Sequence, residues 1–315
     1  MRAAVIVEGA VTCAERPDPV PGTGELLVRV RAAGLNGADL LQRAGRYPPP
    51  PGTPPDQPGM EFAGEVEAVG AGATRFSAGD RVMGIVAGAA QAELVVVHER
   101  VAMPVPDVLS WPEAGGVPEV FTTAHDALFT QCGLRPGERL LVNGAAGGVG
   151  IAAVQLAVVS GSSVVASVRS PERREALASF GATPAAPDDA FGLGPFDVVL
   201  ELVGGPNLPA DLDALAIGGR ISVIGIGAGG RAEVGLGLLM ARRARVHGST
   251  LRARPLEEKA LAARLVERHV LPQLAAERVR VPVEATFPLA DVGAAYERFA
   301  AGNKLGKIVL VTDGT

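Results

Sequence analysis

The 315-residue sequence predicts an α/β protein that combines a doubly wound parallel sheet with an irregular β-barrel domain. Three observations predict this fold. Short β-type runs separated by Gly- and Pro-rich turns fill the first third of the chain, strands then alternate with helical stretches, and a Gly-rich turn joins the first of these strands to its helix.

The first part of the chain, up to about Trp111, has the pattern of short strands. Its clearest runs are Glu25–Arg31, Gly64–Gly70 and Ala92–Val97. The segment Tyr47–Gly52 is too rich in proline for a helix or a central strand, because proline has no amide donor. We therefore predict an irregular barrel here.

Beyond Trp111 the period of the apolar residues changes. The apolar run Arg139–Val142 is interpreted as a buried parallel strand, and alternating helices and strands after it predict a parallel sheet with right-handed crossovers. An amphipathic helix, Leu256–Val270, and a strand, Gly306–Val311, are expected near the end. The alternating segments, beginning with a helix, are Val149–Val159, Ser163–Val168, Pro171–Phe180, Phe196–Glu201, Leu208–Leu215 and Arg220–Ile226.

Composition excludes several classes of function. A formal net charge of −5 gives no basic field for nucleic acid or an anionic membrane, so a small-molecule partner is expected. Only Cys13 and Cys132 are present, without a CxxC pair, which argues against a disulfide framework and fits the reducing cytoplasm. Glu8 interrupts the N-terminal apolar run before a signal peptide could form, and no apolar run reaches the roughly eighteen residues of a membrane span.

The run Gly144–Gly150 follows the predicted strand and opens the predicted helix. In that position, small residues let the backbone approach a pyrophosphate while helix N–H groups stabilise its charge. Ala145 replaces the first glycine of the G-x-G-x-x-G pattern, and Gly147 and Gly150 are in register. A lone Gly-rich match is often only a turn, but the flanking strand and helix favour a dinucleotide site.

About twenty residues later, an NAD site offers an acidic residue to the ribose 2′-hydroxyl. This chain has Arg169, Ser170 and Arg173 there, a set that suits a 2′-phosphate and favours NADPH. The alternative is that the two arginines only face solvent and that Glu172 neutralises one of them.

At this point the chain resembles the zinc-free NADPH:quinone oxidoreductase (zeta-crystallin-like) branch of the medium-chain dehydrogenase/reductase superfamily. The resemblance covers essentially the whole length and depends on several blocks in one order. Besides the fingerprint, they are Ala33–Asp39, Gly45–Pro48, Pro58–Gly64, Gly79–Val82, Pro118–Ala124, Gly248–Arg252 and Gly306–Val309.

The resemblance implies a GroES-like substrate domain over 1–115, a Rossmann NADP-binding domain over 116–255, and a segment over 256–315 that completes the first domain. It also implies a homodimer formed through the nucleotide-binding domain. The cofactor-binding residues that it implies are Thr123, Ala146, Gly147, Gly148, Val149, Arg169, Ser170, Arg173, Ile224, Gly225, Ile226, Ser249, Thr250, Leu251 and Asn303. One departure is Pro184–Pro187, where many relatives have Asn-Tyr.

No metal site is expected. Zinc-dependent relatives have a Cys near the position of Asn36 and a His where this chain has Met60, and the lobe with four cysteines is missing. The four histidines show no ligand spacing and are interpreted as surface or boundary residues.

Three functions are compared. The first is hydride transfer from NADPH to a quinone or related conjugated carbonyl, with Tyr47 and Asn36 as candidate donors to the oxygen on which charge develops. The alternatives are an NADPH-dependent alkenal or enoyl double-bond reductase and a non-catalytic, crystallin-like NADPH-binding protein. Tyr47 could instead pack a Pro-rich loop, and Asn36 could equally be a turn residue.

Overall fold

The computed structural model describes residues 1–312, which divide into two compact units. The first, called here the barrel unit, comprises Met1–Thr122 and the chain from Leu251 onward; the second, the nucleotide unit, comprises Thr123–Thr250. The domain bounds at 115/116 and 255/256 stay predictions.

Fifteen strands and eleven α-helices are named in chain order over residues 1–312. The strands are β1 Arg2–Val7, β2 Ala10–Glu15, β3 Glu25–Gly34, β4 Glu61–Val69, β5 Arg81–Ile85, β6 Leu94–His98, β7 Met103–Pro104, β8 Arg139–Asn143, β9 Ser163–Ser167, β10 Thr183–Ala185, β11 Phe196–Glu201, β12 Leu215–Val223, β13 Arg245–Gly248, β14 Val283–Pro288 and β15 Lys307–Val311. The helices are α1 Gly37–Arg43, α2 Trp111–Gly115, α3 Pro118–His125, α4 Gly148–Val159, α5 Arg174–Ser179, α6 Pro187–Ala190, α7 Leu208–Asp213, α8 Leu236–Arg242, α9 Leu256–His269, α10 Leu271–Ala275 and α11 Val292–Ala300.

The barrel unit is built on a seven-stranded sheet in the order β14-β15-β3-β4-β5-β7, with β6 also paired to β3. Strand β15 is antiparallel to β3, so residues near the end of the chain complete this sheet. Strand β3 alternates between buried and more exposed positions, and its Leu26, Val28 and Val30 are buried against Phe62 of β4. This period of two is the signal that predicted strands here.

The nucleotide unit contains six parallel strands in the order β10-β9-β8-β11-β12-β13. Counted within the unit, this is the 3-2-1-4-5-6 order of dinucleotide-binding sheets, in which ligands bind where the strand order reverses. Its core includes Leu141, Val199 and Ile221 of three neighbouring strands. The predicted α/β fold with a doubly wound parallel sheet is confirmed.

Element boundaries differ from the prediction at a few places. Helix α7 ends at Asp213, and β12 begins at Leu215, five residues before the predicted strand. The unpredicted β10 contains Pro184, which a strand at the edge of a sheet tolerates because its amide has no partner to lose. Within residues 1–312, no helix is both long and apolar enough to cross a membrane.

Candidate functional site

The turn between β8 and α4 carries the Gly-rich fingerprint. Gly147 precedes the helix in extended geometry (φ −76°, ψ 165°). Among the described residues, no side chain caps this helix and no acidic residue occupies its first turn. The amide groups of a helix N-terminus carry partial positive charge and need acceptors, so this turn can bind an anion. The partly exposed residues at the turn include the predicted Ala146, Gly147, Gly148 and Val149.

The glycines of the fingerprint have different roles. A Cβ atom on Gly150 would lie 2.6 Å from Cα of Ala145, so Gly150 is required for the packing of the helix against the turn. A Cβ atom on Gly147 would lie 3.6 Å from the carbonyl oxygen of Gly144, which is an ordinary contact. The protein itself therefore does not exclude a side chain at Gly147. The open space at this position fits a diphosphate that approaches the backbone closely.

The predicted 2′-phosphate residues follow β9, the strand next to β8. Arg169 is exposed and makes no ion pair with the residues that the structure describes. The hydroxyl of Ser170 donates to the Glu172 carboxylate, and Pro171–Arg173 form a single 3₁₀ turn. The guanidinium of Arg169 therefore lies at the end of the strand next to the fingerprint strand. Ser170, in contrast, is hydrogen-bonded to Glu172, the residue that the alternative interpretation expected to neutralise an arginine.

Other predicted residues lie beyond the next strands of the same sheet. Ile224 and Gly225 follow β12, and their amides donate to the carbonyl of Glu201 at 2.9 and 3.1 Å. Ser249 follows β13, and its hydroxyl donates to Oδ2 of Asp126 at 3.1 Å. Ile226 is exposed, and Thr123 of α3 is buried. Of the remaining predicted residues, Thr250 belongs to the nucleotide unit, whereas Leu251 and Asn303 belong to the barrel unit.

The nucleotide unit also contains a buried polar cluster that sequence reasoning missed. Nδ2 of Asn143, at the end of β8, donates to Oε2 of Glu201 and to Oδ1 of Asp211, both at 2.7 Å. Glu201 ends β11 and, like Asp211, is fully buried. Burial, with the Glu201 carboxylate beside it, raises the pKa of Asp211 to about 8. Asn143 and Glu201 each end an apolar strand, and this pattern could have indicated a polar cluster. No local feature of the sequence indicated that Asp211 joins them.

In the barrel unit, Asn36 is part of a buried ion pair. Nζ of Lys307 contacts Oε1 of Glu61 at 2.5 Å and Oδ1 of Asn36 at 2.8 Å. Nδ2 of Asn36 donates to the same Glu61 oxygen at 2.9 Å, and the amide of Glu119 donates to Oε2 of Glu61 at 2.8 Å. Both ends of the Asn36 side chain are therefore bound within the protein, which argues against the predicted role as a donor to substrate.

Beside this cluster, Asp39 accepts hydrogen bonds from the amides of Asn36 and Gly59 at 2.8 and 3.2 Å. Burial raises the pKa of Asp39 to about 6, although these two hydrogen bonds oppose the shift. The carboxyl of Asp39 is thus fixed at the start of α1.

Tyr47 is half-buried next to Arg252, which was not among the predicted site residues. The guanidinium of Arg252 lies 5.1 Å from the Tyr47 ring centroid and donates to the Tyr47 carbonyl at 3.0 Å. Arg252 is 3% exposed and donates to Gln42 at 2.6 Å and to the Ala87 carbonyl at 2.6 Å. Its hydrogen-bond partners are all neutral, and burial lowers its pKa.

The Tyr47 hydroxyl forms no hydrogen bond with residues 1–312, so it retains a donor proton. Burial, followed by the nearby Glu119 carboxylate, raises the pKa of Tyr47. The phenol therefore stays protonated at neutral pH and can donate to an oxygen.

In the part of the chain that the structure describes, no group of three or more His, Cys, Asp or Glu side chains could hold a metal ion. Cys13 and Cys132 are free thiols, and burial raises the pKa of Cys132 to about 12. At neutral pH such a thiol stays protonated and is a poor nucleophile.

Two families match most of the chain. Residues 22–128 match the alcohol dehydrogenase GroES-like domain, and residues 148–268 match the family described as zinc-binding dehydrogenase. The chain is 30% identical over 308 residues to a quinone oxidoreductase of Rattus norvegicus, covering 93% of this chain and 91% of the relative. This chain belongs to the medium-chain dehydrogenase/reductase superfamily, in its quinone oxidoreductase-like branch. It is therefore an oxidoreductase with an NAD(P)-binding fold.

Other relatives of this chain differ in name and in length. Prostaglandin reductase-3 of Bos taurus is 36% identical over 82% of this chain and 68% of its own length. A polyketide synthase of Streptomyces halstedii is 39% identical over 64% of this chain, which spans only 4% of that relative.

Solved structures of the superfamily superimpose on nearly the whole chain. A quinone oxidoreductase of Pseudomonas syringae has a TM-score of 0.86 and 28% identity, with 99% of each chain covered. A mycobacterial protein solved in complex with NADPH has a TM-score of 0.87 and 27% identity, with 99% of this chain and 100% of that chain covered. The GroES-like and Rossmann-type folds are thus confirmed.

Proposed function

We propose that this chain reduces quinones or related conjugated carbonyl compounds with NADPH and without zinc. The observation that carries the proposal is the N-terminus of α4, which no side chain of residues 1–312 caps, with open space at Gly147. Beyond the neighbouring strand, Arg169 forms no ion pair with these residues. Together these features fit a diphosphate and an additional phosphate on the ribose. The NADPH complex of the mycobacterial neighbour supports this assignment.

The turn residues Ala146–Val149 would hold the pyrophosphate, and Arg169 and Arg173 would hold the 2′-phosphate. Bound NADPH supplies a hydride. The remaining residues that the family resemblance implies keep their proposed cofactor contacts; they are Thr123, Ser170, Ile224, Gly225, Ile226, Ser249, Thr250, Leu251 and Asn303.

Tyr47 is the proposed donor to the oxygen of the substrate, because its hydroxyl has no hydrogen bond within the described chain and its phenol stays protonated. Arg252 fixes Tyr47 through the ring and the carbonyl, and its positive charge, which has only neutral hydrogen-bond partners, would stabilise negative charge nearby. Asn36 is assigned a different role from the predicted one, since it joins Lys307 to Glu61.

A second candidate is reduction of a conjugated carbon–carbon double bond, as the name of the 36%-identical prostaglandin reductase-3 suggests. The two reactions need the same hydride donor and differ in the product. Mass spectrometry of the product distinguishes a hydroquinone from a saturated carbonyl compound, and NADPH binding without turnover on either class would favour the non-catalytic alternative.

We also propose a homodimer and a cytoplasmic location. Strand β13 is at the edge of the parallel sheet, and Val246 on it and Met240 on α8 are 39% and 76% exposed. An exposed strand edge beside apolar side chains is a surface that a second copy can cover. The two free thiols suit a reducing compartment.

The test is a calorimetric titration of the protein with NADPH and NADH. NADPH should bind at least about tenfold more tightly, and Arg169→Gln should weaken NADPH binding by about tenfold without affecting NADH, because the arginine contacts only the 2′-phosphate. Arg268→Gln removes an exposed charge from the other unit and serves as the control. Equal affinity for the two cofactors, or no heat with either, would refute the proposal. Oxidation of NADPH on addition of a naphthoquinone, with no metal in the purified protein, then tests the reaction.

A further inference from the structure

The cluster of Asn143, Glu201 and Asp211 occupies the place where the order of the parallel strands reverses. Strands β8 and β11 are neighbours, with Asn143 opposite Glu201 in the register. From β8 the chain continues to β9 and β10 on one side of the sheet, whereas β11 is followed by β12 and β13 on the other side. In sheets of this kind, a ligand crevice opens between the two strands at which the direction changes. Asn143 and Glu201 therefore lie at the strand ends where dinucleotide-binding sheets bind their ligands.

The two carboxyl groups of the cluster are bridged by one donor, the side-chain amide of Asn143. Nδ2 of Asn143 lies 2.7 Å from an oxygen of each carboxyl group, and both groups are fully buried. Two ionised carboxylates at such a distance would repel each other strongly in the absence of water. Among residues 1–312, Oδ2 of Asp211 and Oδ1 of Asn143 find no hydrogen-bond donor. A proton on Oδ2 of Asp211 would turn that atom from an acceptor into a donor. The groups that face Asp211 are Glu201 from β11 and the amide of Asn143 from β8.

Glu201 connects this proton to two loops. Its Oε1 atom accepts hydrogen bonds from the amides of Val203 at 2.5 Å and Gly204 at 2.6 Å. Its main-chain carbonyl accepts from Ile224 and Gly225. One residue therefore holds the loop after β11 with its side chain and the loop after β12 with its backbone.

The loops after β11 and β12 are packed closely together. A Cβ atom on Gly225 would lie 2.1 Å from the carbonyl oxygen of Leu202, so the two loops are in direct backbone contact. On the other side, a Cβ atom on Gly144 would lie 3.3 Å from Cγ2 of Val203. The loop that Glu201 holds is thus in contact with both the fingerprint turn and the residues proposed to border the nicotinamide.

We propose that Glu201 is a positioning residue for the cofactor site and that a proton on its buried neighbour Asp211 makes NADPH affinity depend on pH. While the proton is present, Glu201 holds both loops in place. When it is lost, the two buried carboxylates repel each other, the loops shift and affinity falls. This inference rests on the proposed NADPH site.

The experiment measures the Kd of NADPH by calorimetry between about pH 7 and pH 9.5 for the wild type and two variants. The wild-type Kd should rise about tenfold, since one coupled proton changes affinity by at most tenfold per pH unit above its pKa. In the Asp211→Asn variant the side chain is neutral throughout this range, so the Kd of NADPH should change less than about twofold. Asp213→Asn alters the same type of residue at an exposed position of the same helix and should follow the wild type.

A wild-type Kd that is constant over this range, or an Asp211→Asn profile parallel to the wild type, would overturn the inference. Infrared spectroscopy of the wild type provides a second measurement that needs no variant and no cofactor. A protonated carboxyl band should be present at neutral pH and disappear on raising the pH; its absence at neutral pH would also overturn the inference. If the band is present but NADPH does not bind at any pH, the buried protonated carboxyl exists and the proposed function is wrong.

Discussion

Replacing Lys307 by Met should destabilise the barrel unit by about 3–5 kcal/mol, because it leaves a buried carboxylate without its cation. The side chains of Lys307 and Glu61 are 3% and 0% exposed, and Nζ and Oε1 are 2.5 Å apart. Nζ also donates to the carbonyl of Leu35 at 2.9 Å and to Oδ1 of Asn36 at 2.8 Å, so all three of its protons are used. Met fills a similar volume but satisfies none of these acceptors.

The magnitude can be separated into its parts by a double-mutant cycle. Glu61→Gln alone should also destabilise, because it leaves the buried ammonium with neutral partners only. The double variant Lys307→Met/Glu61→Gln should lose less than the sum of the two single losses by about 2 kcal/mol, since no buried charge remains. The remaining loss reflects the unpaired hydrogen-bonding groups of Asn36 and Leu35.

The assay is urea denaturation at pH 7 followed by the fluorescence of Trp111. It is the only tryptophan of the sequence and lies in the barrel unit, so the signal reports on the unit that contains the ion pair. Arg100→Met removes a cation from an exposed pair with Glu257 and should leave the unfolding midpoint unchanged. A loss below about 1 kcal/mol for Lys307→Met, or strict additivity in the cycle, would refute the reasoning.

Two further pairs of variants separate binding and catalysis from folding. Gly147→Ala should leave the melting temperature nearly unchanged but weaken NADPH binding at least about tenfold. Gly150→Ala should destabilise the fold by about 1–3 kcal/mol, because its Cβ would lie 2.6 Å from Cα of Ala145. The reverse pattern in calorimetry and thermal melts would contradict the roles proposed for the two glycines. Tyr47→Phe should lower kcat by about tenfold to a hundredfold with little change in the KM for NADPH. Tyr296→Phe, at the only other tyrosine, should affect stability alone, and equal kcat losses in steady-state assays of the two variants would argue against Tyr47 as the donor.

The elements that position the cofactor site could be predicted because their signals are local. The apolar run Phe196–Glu201 is strand β11 with the predicted bounds, and the predicted helix after the fingerprint differs from α4 by one residue at its start. The arginine after β9 was found in the same way, since its distance along the chain from the fingerprint is set by one helix and one strand. Local sequence patterns are sufficient to predict such features.

The buried polar clusters could not be predicted, since they join distant parts of the chain. Lys307 and Glu61 are 246 residues apart, and Arg252 and Gln42 are 210 residues apart. No periodicity relates such positions. In each case the sequence shows only a charged residue within a block of family resemblance. The structure shows which group forms an ion pair or a hydrogen bond with it.

Asn36 illustrates how the two kinds of information combine. Its position in the family block suggested a donor to substrate, but an amide has a fixed number of hydrogen bonds to give and to accept. In the structure, Nδ2 donates to Glu61, with the carbonyl of Gly34 at 3.4 Å, and Oδ1 accepts from Lys307. Donation to a substrate would have to break a contact of a fully buried ion pair. The hydroxyl of Tyr47 forms no hydrogen bond within residues 1–312, and Tyr47 is therefore the proposed proton donor.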